Sequence, residues 1–104
     1  MIKEQKAYNG GLILELFGEM DHHNAPQIRA ELDNAINRNN IKELTFDLTE
    51  LTFMDSSGIG VLLGRYKRLQ GLGARVWIKG ANPSVDKLLR MSGIYTIMQK
   101  ADRG

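Results

Sequence analysis

A single α/β domain, with a mixed, mostly parallel sheet of four to five strands and three helices, is predicted by three observations. Short stretches of alternating apolar residues take turns with longer stretches in which apolar residues recur every three to four positions. Helix-start chemistry stands ahead of each longer stretch, at Asn24, at Asp55-Ser56-Ser57-Gly58 and at Asn82-Pro83. The 104 residues suit one domain over residues 1–104, and the order β-β-α-β-α-β-α-β favours parallel pairing.

The first strand is the least regular. Ile2 to Tyr8 reads as an edge strand, and Asn9-Gly10 is a hairpin signal because a type I′ turn needs positive φ at both central residues. Leu12 to Phe17 places Leu12, Leu14 and Leu16 on one face, with Ile13 and Phe17 on the other, so both faces are expected to be partly covered. Gly18 to His23 reads as a polar loop. Asn24 is then expected to cap a helix, with Gln27 completing a capping box and Pro26 tolerated in the first turn. The buried stripe of that helix is Ala25, Ile28, Leu32, Ala35 and Ile36, and Asn37 to Asn40 ends it.

Leu44 to Leu48 alternates as a short strand. Leu51 to Met54 is an apolar lead-in to a serine-rich corner, Asp55-Ser56-Ser57-Gly58. Beyond it Ile59, Leu62, Leu63, Tyr66 and Leu69 fall at helical offsets and form one packing face. Arg65, Lys67 and Arg68 lie off that face, toward the helix end that favours cations. Gln70 to Gly73 is a turn and Arg75 to Lys79 a strand. Asn82-Pro83 is a cap followed by a first-turn proline. Val85, Leu88 and Leu89 face inward, Gly93 ends the helix, and Ile94 to Met98 is expected to be the last strand.

Composition narrows the function. There is no cysteine, hence no disulfide framework and no thiolate metal site. No apolar run approaches the roughly 20 residues that span a bilayer, and no signal-peptide pattern opens the chain, so a cytoplasmic, membrane-free protein is expected. A formal net charge of +2, spread along the chain, gives little footprint for nucleic acid.

Three constellations compete for chemistry. Asp21, His22 and His23 invite a metal, but the chain has no other histidine to complete the set, and neither metal nor cofactor is expected. The same residues with Ser56 could be drawn as a hydrolase triad, yet the serine lacks the G-x-S-x-G context and no oxyanion hole is identifiable. Gly58, Gly60 and Gly64 fall short of a dinucleotide fingerprint because Leu63 stands where a small residue is needed. Gly64 inside a helix costs about 1 kcal/mol relative to alanine, which points to tight packing against the sheet or a partner. For Ser56 and Ser57 the plain alternative is helix capping. A hydroxyl at a helix start is also exposed, and a phosphate there meets free N–H groups and a favourable dipole, although Asp55 adds a like charge. The loop at Asp21 to His23 and the serine corner are each read as following a strand, so both are expected at the carboxyl edge of the sheet.

The stretch MDSSGIG followed by VLLGRYK, with GEMDHHNA from Gly18 to Ala25 and LLRMSGI from Leu88 to Ile94, resembles the STAS domain of anti-sigma-factor antagonists, in particular antagonists of sporulation sigma-factor control. The resemblance runs over roughly residues 10 to 100. It implies that Ser56, the first serine after the aspartate, is a phosphoacceptor. It implies docking through Asp21, His22, His23, Asp55, Ser56, Ser57, Gly58, Gly60, Gly64 and Arg65. It implies two partners, an anti-sigma factor with serine kinase activity and a resetting serine phosphatase. The chain is then a non-enzymatic switch in transcription regulation, monomeric when free. The alternative is an accessory or scaffold subunit of an anion transporter or stress-signalling complex. Members usually add a C-terminal helix; here the chain stops at Gly104, so that helix is expected to be short or absent.

Overall fold

The computed structural model describes residues 1–7 and 10–101. Its elements are β1 (Ile2–Lys6), β2 (Leu12–Leu16), β3 (Gly18–Met20), α1 (Ala25–Arg38), β4 (Glu43–Asp47), β5 (Leu51–Met54), α2 (Ser56–Gly71), β6 (Arg75–Lys79), α3 (Pro83–Ser92), a 3-10 turn over Ile94–Thr96 and β7 (Gln99–Lys100).

The main sheet has the order β1-β2-β4-β6-β7. β1 pairs antiparallel with β2, from Ile2 opposite Leu16 to Lys6 opposite Leu12; the other pairings are parallel. Asn9 lies outside the described residues, as does Tyr8, the end of the expected first strand. Gly10, at φ +90, supplies the positive φ that a tight connection there requires. The expectation about a C-terminal helix bears on residues 102–104, which also lie outside the described ones.

Alternation decides which sheet face is covered. Leu12, Leu14 and Leu16 from β2, Leu44 and Phe46 from β4, and Val76 and Ile78 from β6 are buried together with Ile28, Leu32, Ala35 and Ile36 of α1 and Ile59, Leu62 and Leu69 of α2. Full burial of a side chain such as Phe46 or Leu14 contributes about 1.5–3 kcal/mol. The expected stripes of both helices therefore face the core, with Leu63 and Tyr66 only partly buried and Val61, outside the expected stripe, fully buried. The opposite face is partly covered, as expected, with Ile13 and Trp77 half-buried, but Phe17 is exposed.

Three local expectations are corrected. Gly18 to Met20 is a strand, and it pairs in parallel with β5 as a separate two-stranded unit. Thr52 supports this pair, its hydroxyl donating to the Gly18 carbonyl at 2.9 Å. Second, Asn24 makes no side-chain cap to α1; its Nδ2 donates back to the Glu19 carbonyl at 3.0 Å, while Gln27 bonds Glu31. Asp21 serves that turn instead, its Oδ1 accepting the Asn24 N–H at 2.8 Å. Third, Ile94–Thr96 is a 3-10 turn and pairing resumes only at Gln99, because Gly93 at φ +81 turns the chain and Ile94 and Met98 are buried in the core.

Candidate functional site

β3 and β5 bring the two polar loops together. Met20 pairs with Met54, so the chain leaves both strands side by side, at Asp21 and at Asp55. The Asp55 N–H donates to the Met20 carbonyl at 3.3 Å. Gly58, at the first turn of α2, lies against the same two methionines. A Cβ there would sit 2.5 Å from Met54 Cγ and 3.1 Å from the Met20 carbonyl oxygen, so only glycine lets α2 start this close to the strand pair.

Asp55 is the N-cap of α2, in extended conformation. Its Oδ1 accepts the Ser57 N–H at 2.8 Å, and its Oδ2 accepts the backbone N–H of His22 from the neighbouring loop at 3.1 Å. One carboxylate thus satisfies an orphan donor of the helix and clasps the two loops. Desolvation acts to raise the Asp55 pKa, but the donors from Ser57, His22 and Gly58 outweigh it and hold the group below its ordinary value of 3.8. The cap is therefore the aspartate, while both serines stand inside the helix at its first two positions.

The two serines differ. Ser56 is exposed, and its side chain has no hydrogen-bond partner among the described residues. Ser57 is half-buried, with its Oγ 3.5 Å from His22 Nδ1. His22 and His23 are both exposed, and His23 makes none of these contacts. Asp21 anchors the start of α1 through its side chain and through its carbonyl, which accepts the Ala25 N–H at 2.9 Å. The expected site residues Asp21, His22, Asp55, Ser56, Ser57 and Gly58 are thus gathered at one corner.

Of the remaining four, His23 lies in the loop before α1, and Gly60, Gly64 and Arg65 lie along α2. Gly60 is exposed and Gly64 half-buried, and a Cβ on either would meet nothing within 4 Å. Of the two expected reasons for Gly64, packing against the sheet or against a partner, the first is absent there, and such close packing occurs at Gly58. Arg65 is about 13 Å along the helix axis from Ser56, at 1.5 Å per residue. Its side chain is 13% exposed and its Nε lies 3.1 Å from Asp33 Oδ1 of α1, so it joins the two helices. Desolvation lowers the Arg65 pKa, and Asp33 opposes that.

Residues outside the expected site also shape the corner, among them Asn82, which is the expected cap of α3. Asn82 caps α3 through Oδ1, which accepts the Val85 N–H at 2.9 Å, while its Nδ2 donates to the Leu51 carbonyl at 3.2 Å and so ties α3 to β5. Phe53, opposite Glu19 on the strand pair, is 46% exposed. Its signal was the run Leu51-Thr52-Phe53-Met54, rich in strand formers. A cleft of about 460 Å³ lined by Gly11, Lys42, Glu43 and Arg75 lies at the other edge, where β4 and β6 begin. No group of three or more metal-ligating side chains occurs among the described residues.

Known proteins share this fold. The STAS domain family model matches residues 3–102. The anti-sigma F factor antagonist of Paenibacillus polymyxa is 43% identical over 95 residues, covering 91% of this chain and 81% of that protein. A solved structure of the anti-sigma factor antagonist SpoIIAA in its unphosphorylated form is 32% identical, with a TM-score of 0.79 over 99% of this chain and 90% of that one. The Bacillus cell fate determinant SpoIIAA in the phosphorylated form is 31% identical, with a TM-score of 0.71 over 99% of this chain and 93% of that one. The chain belongs to the STAS-domain family, among its anti-sigma factor antagonists.

Proposed function

We propose that this chain is a phosphorylation-controlled binding module. Its unmodified form binds an anti-sigma factor that is also a serine kinase, and the sigma factor is released. The kinase then inactivates the chain by phosphorylating Ser56, and a serine phosphatase resets it. The module acts in the cytoplasm and has no turnover of its own. Docking uses the corner formed by Asp21, His22, Asp55, Ser56 and Ser57, with His23, Gly58 and the α2 surface at Gly60 and Gly64 beside it. Arg65 contributes by holding α2 on α1.

The observation that carries this reading is the exposed, unpartnered Ser56 hydroxyl at the start of α2. A phosphoryl acceptor must present its oxygen to another protein's active site without first breaking internal bonds. The step forms the Ser56 Oγ–P bond, breaks the bond from the γ-phosphorus of ATP to the β–γ bridging oxygen, releases ADP, and passes the hydroxyl proton to a base on the kinase. The product carries about −1.5 to −2 charge units beside Asp55. Inside a desolvated contact such a charge is costly unless it is paired, so the modified chain lets go.

Incubation with the anti-sigma factor and ATP tests this. The expected result is one phosphate per chain, on Ser56 by fragmentation mass spectrometry. Modification on Ser57 alone, or on neither serine, contradicts it.

A further inference from the structure

Two adjacent hydroxyls stand at the start of α2, and a kinase that docks on this corner brings its γ-phosphate close to both. Residues one apart on a helix are turned about 100° from each other, which alone does not hide either from a mobile donor. What separates them is their bonding. Ser56 is exposed and unpartnered among the described residues. Ser57 is half-buried, and its backbone N–H donates to Asp55 Oδ1 at 2.8 Å, which fixes the residue beside the neighbouring loop. Its Oγ lies 3.5 Å from His22 Nδ1.

His22 is kept there by its own backbone. Its N–H sits on Asp55 Oδ2 at 3.1 Å, and the Asp55 N–H sits on the Met20 carbonyl. Asp55 therefore holds the Ser57 backbone through Oδ1 and the loop that carries His22 through Oδ2. We propose that His22, held in place by Asp55, clasps the Ser57 hydroxyl and thereby directs phosphoryl transfer to Ser56, a proposal that rests on Ser56 being the phosphoacceptor. His22 acts here as a positioning residue, touching Ser57 rather than the acceptor. To accept phosphate, Ser57 Oγ must turn out of the clasp before it can bond the γ-phosphorus of ATP and release ADP and its proton, whereas Ser56 Oγ turns freely.

The test uses the full chain with the anti-sigma factor kinase and ATP, reading the ratio of Ser57 to Ser56 phosphate by fragmentation mass spectrometry. His22→Ala is expected to raise that ratio at least tenfold. His22→Asn, whose side-chain amide can take the place of Nδ1, is expected to bring it back toward wild type. Ser56→Ala should stay unmodified, and Ser56→Ala with His22→Ala should be phosphorylated on Ser57. An unchanged ratio in a folded His22→Ala protein overturns the proposal, as does Ser56→Ala taking phosphate on Ser57 at the wild-type rate. Wild type modified on neither serine overturns the functional reading and the direction of transfer together. The clasp is then judged alone by the ¹⁵N shift of His22 Nδ1: Ser57→Ala should move it, and an unmoved resonance removes the clasp as well.

Discussion

At Asp55 both carboxylate oxygens are occupied by backbone donors, one from the first turn of α2, Ser57 at 2.8 Å, and one from the neighbouring loop, His22 at 3.1 Å. Those donors prefer the ionised form, so the folded pKa is lowered against 3.8. A depressed carboxylate contributes stability that is present above its unfolded pKa and is lost as pH falls through its folded pKa. Asp55→Asn keeps a capping side chain but cannot titrate. The melting temperature of wild type should therefore lie above that of Asp55→Asn near neutral pH, and the gap should close as pH falls below about 4. A gap that stays constant down to pH 2 contradicts the assignment. Gly58 answers a different demand, since a methyl group there meets Met54 Cγ at 2.5 Å and the Met20 carbonyl at 3.1 Å. The methionine can swing aside; the backbone carbonyl cannot. Gly58→Ala should lower unfolding free energy by about 1–3 kcal/mol in denaturant titration. Gly60→Ala, where a Cβ meets nothing, should be neutral or slightly stabilising, because alanine favours the helix.

The element that decides the site is the pair β3 and β5, and it was the part least legible in the sequence. Strands of three and four residues give too little alternation to read, and Gly18-Glu19-Met20 looks like a loop because its partner lies more than thirty residues away. The long helices and the three apolar strands β2, β4 and β6 were legible because each buries a periodic stripe, as Leu12, Leu14 and Leu16 do. The serine corner was legible too, through its capping residues. Which residue caps was not, because Asp55, Ser56 and Ser57 are all good candidates and only the partner loop at His22 selects the aspartate. Asn24 failed as a cap for a similar reason, since the Glu19 carbonyl on β3 takes its amide. The strand pair is itself anchored by Asn82, which caps α3 and donates to the Leu51 carbonyl. Asn82→Ala should cost about 0.5–2 kcal/mol. In hydrogen exchange the amides of β5 should lose protection while those of β4 and β6 keep theirs. Uniform loss across the sheet would show that Asn82 serves global stability alone.

For the molecule as a whole, the arrangement separates a rigid body from a small working corner. The five-stranded sheet and its helices hold the core, and the strand pair presents Ser56 beside two acids, Asp21 and Asp55, that are already engaged in shaping the loops. The chain carries a formal net charge of +2, so a phosphate of about −1.5 to −2 units nearly cancels it, yet the effect is expected to be local. Local action in a desolvated contact is only modestly screened by salt, whereas a change in overall charge would be screened strongly. The most direct test is calorimetric: the affinity of the anti-sigma factor for wild type, Ser56→Ala and Ser56→Asp, at 50 mM and 500 mM salt, with circular dichroism to confirm folding. Ser56→Ala should bind about as tightly as wild type and resist release by ATP. Ser56→Asp should stay folded and bind at least tenfold more weakly at both salt concentrations. A folded Ser56→Asp protein that binds as tightly as wild type contradicts the charge-operated switch.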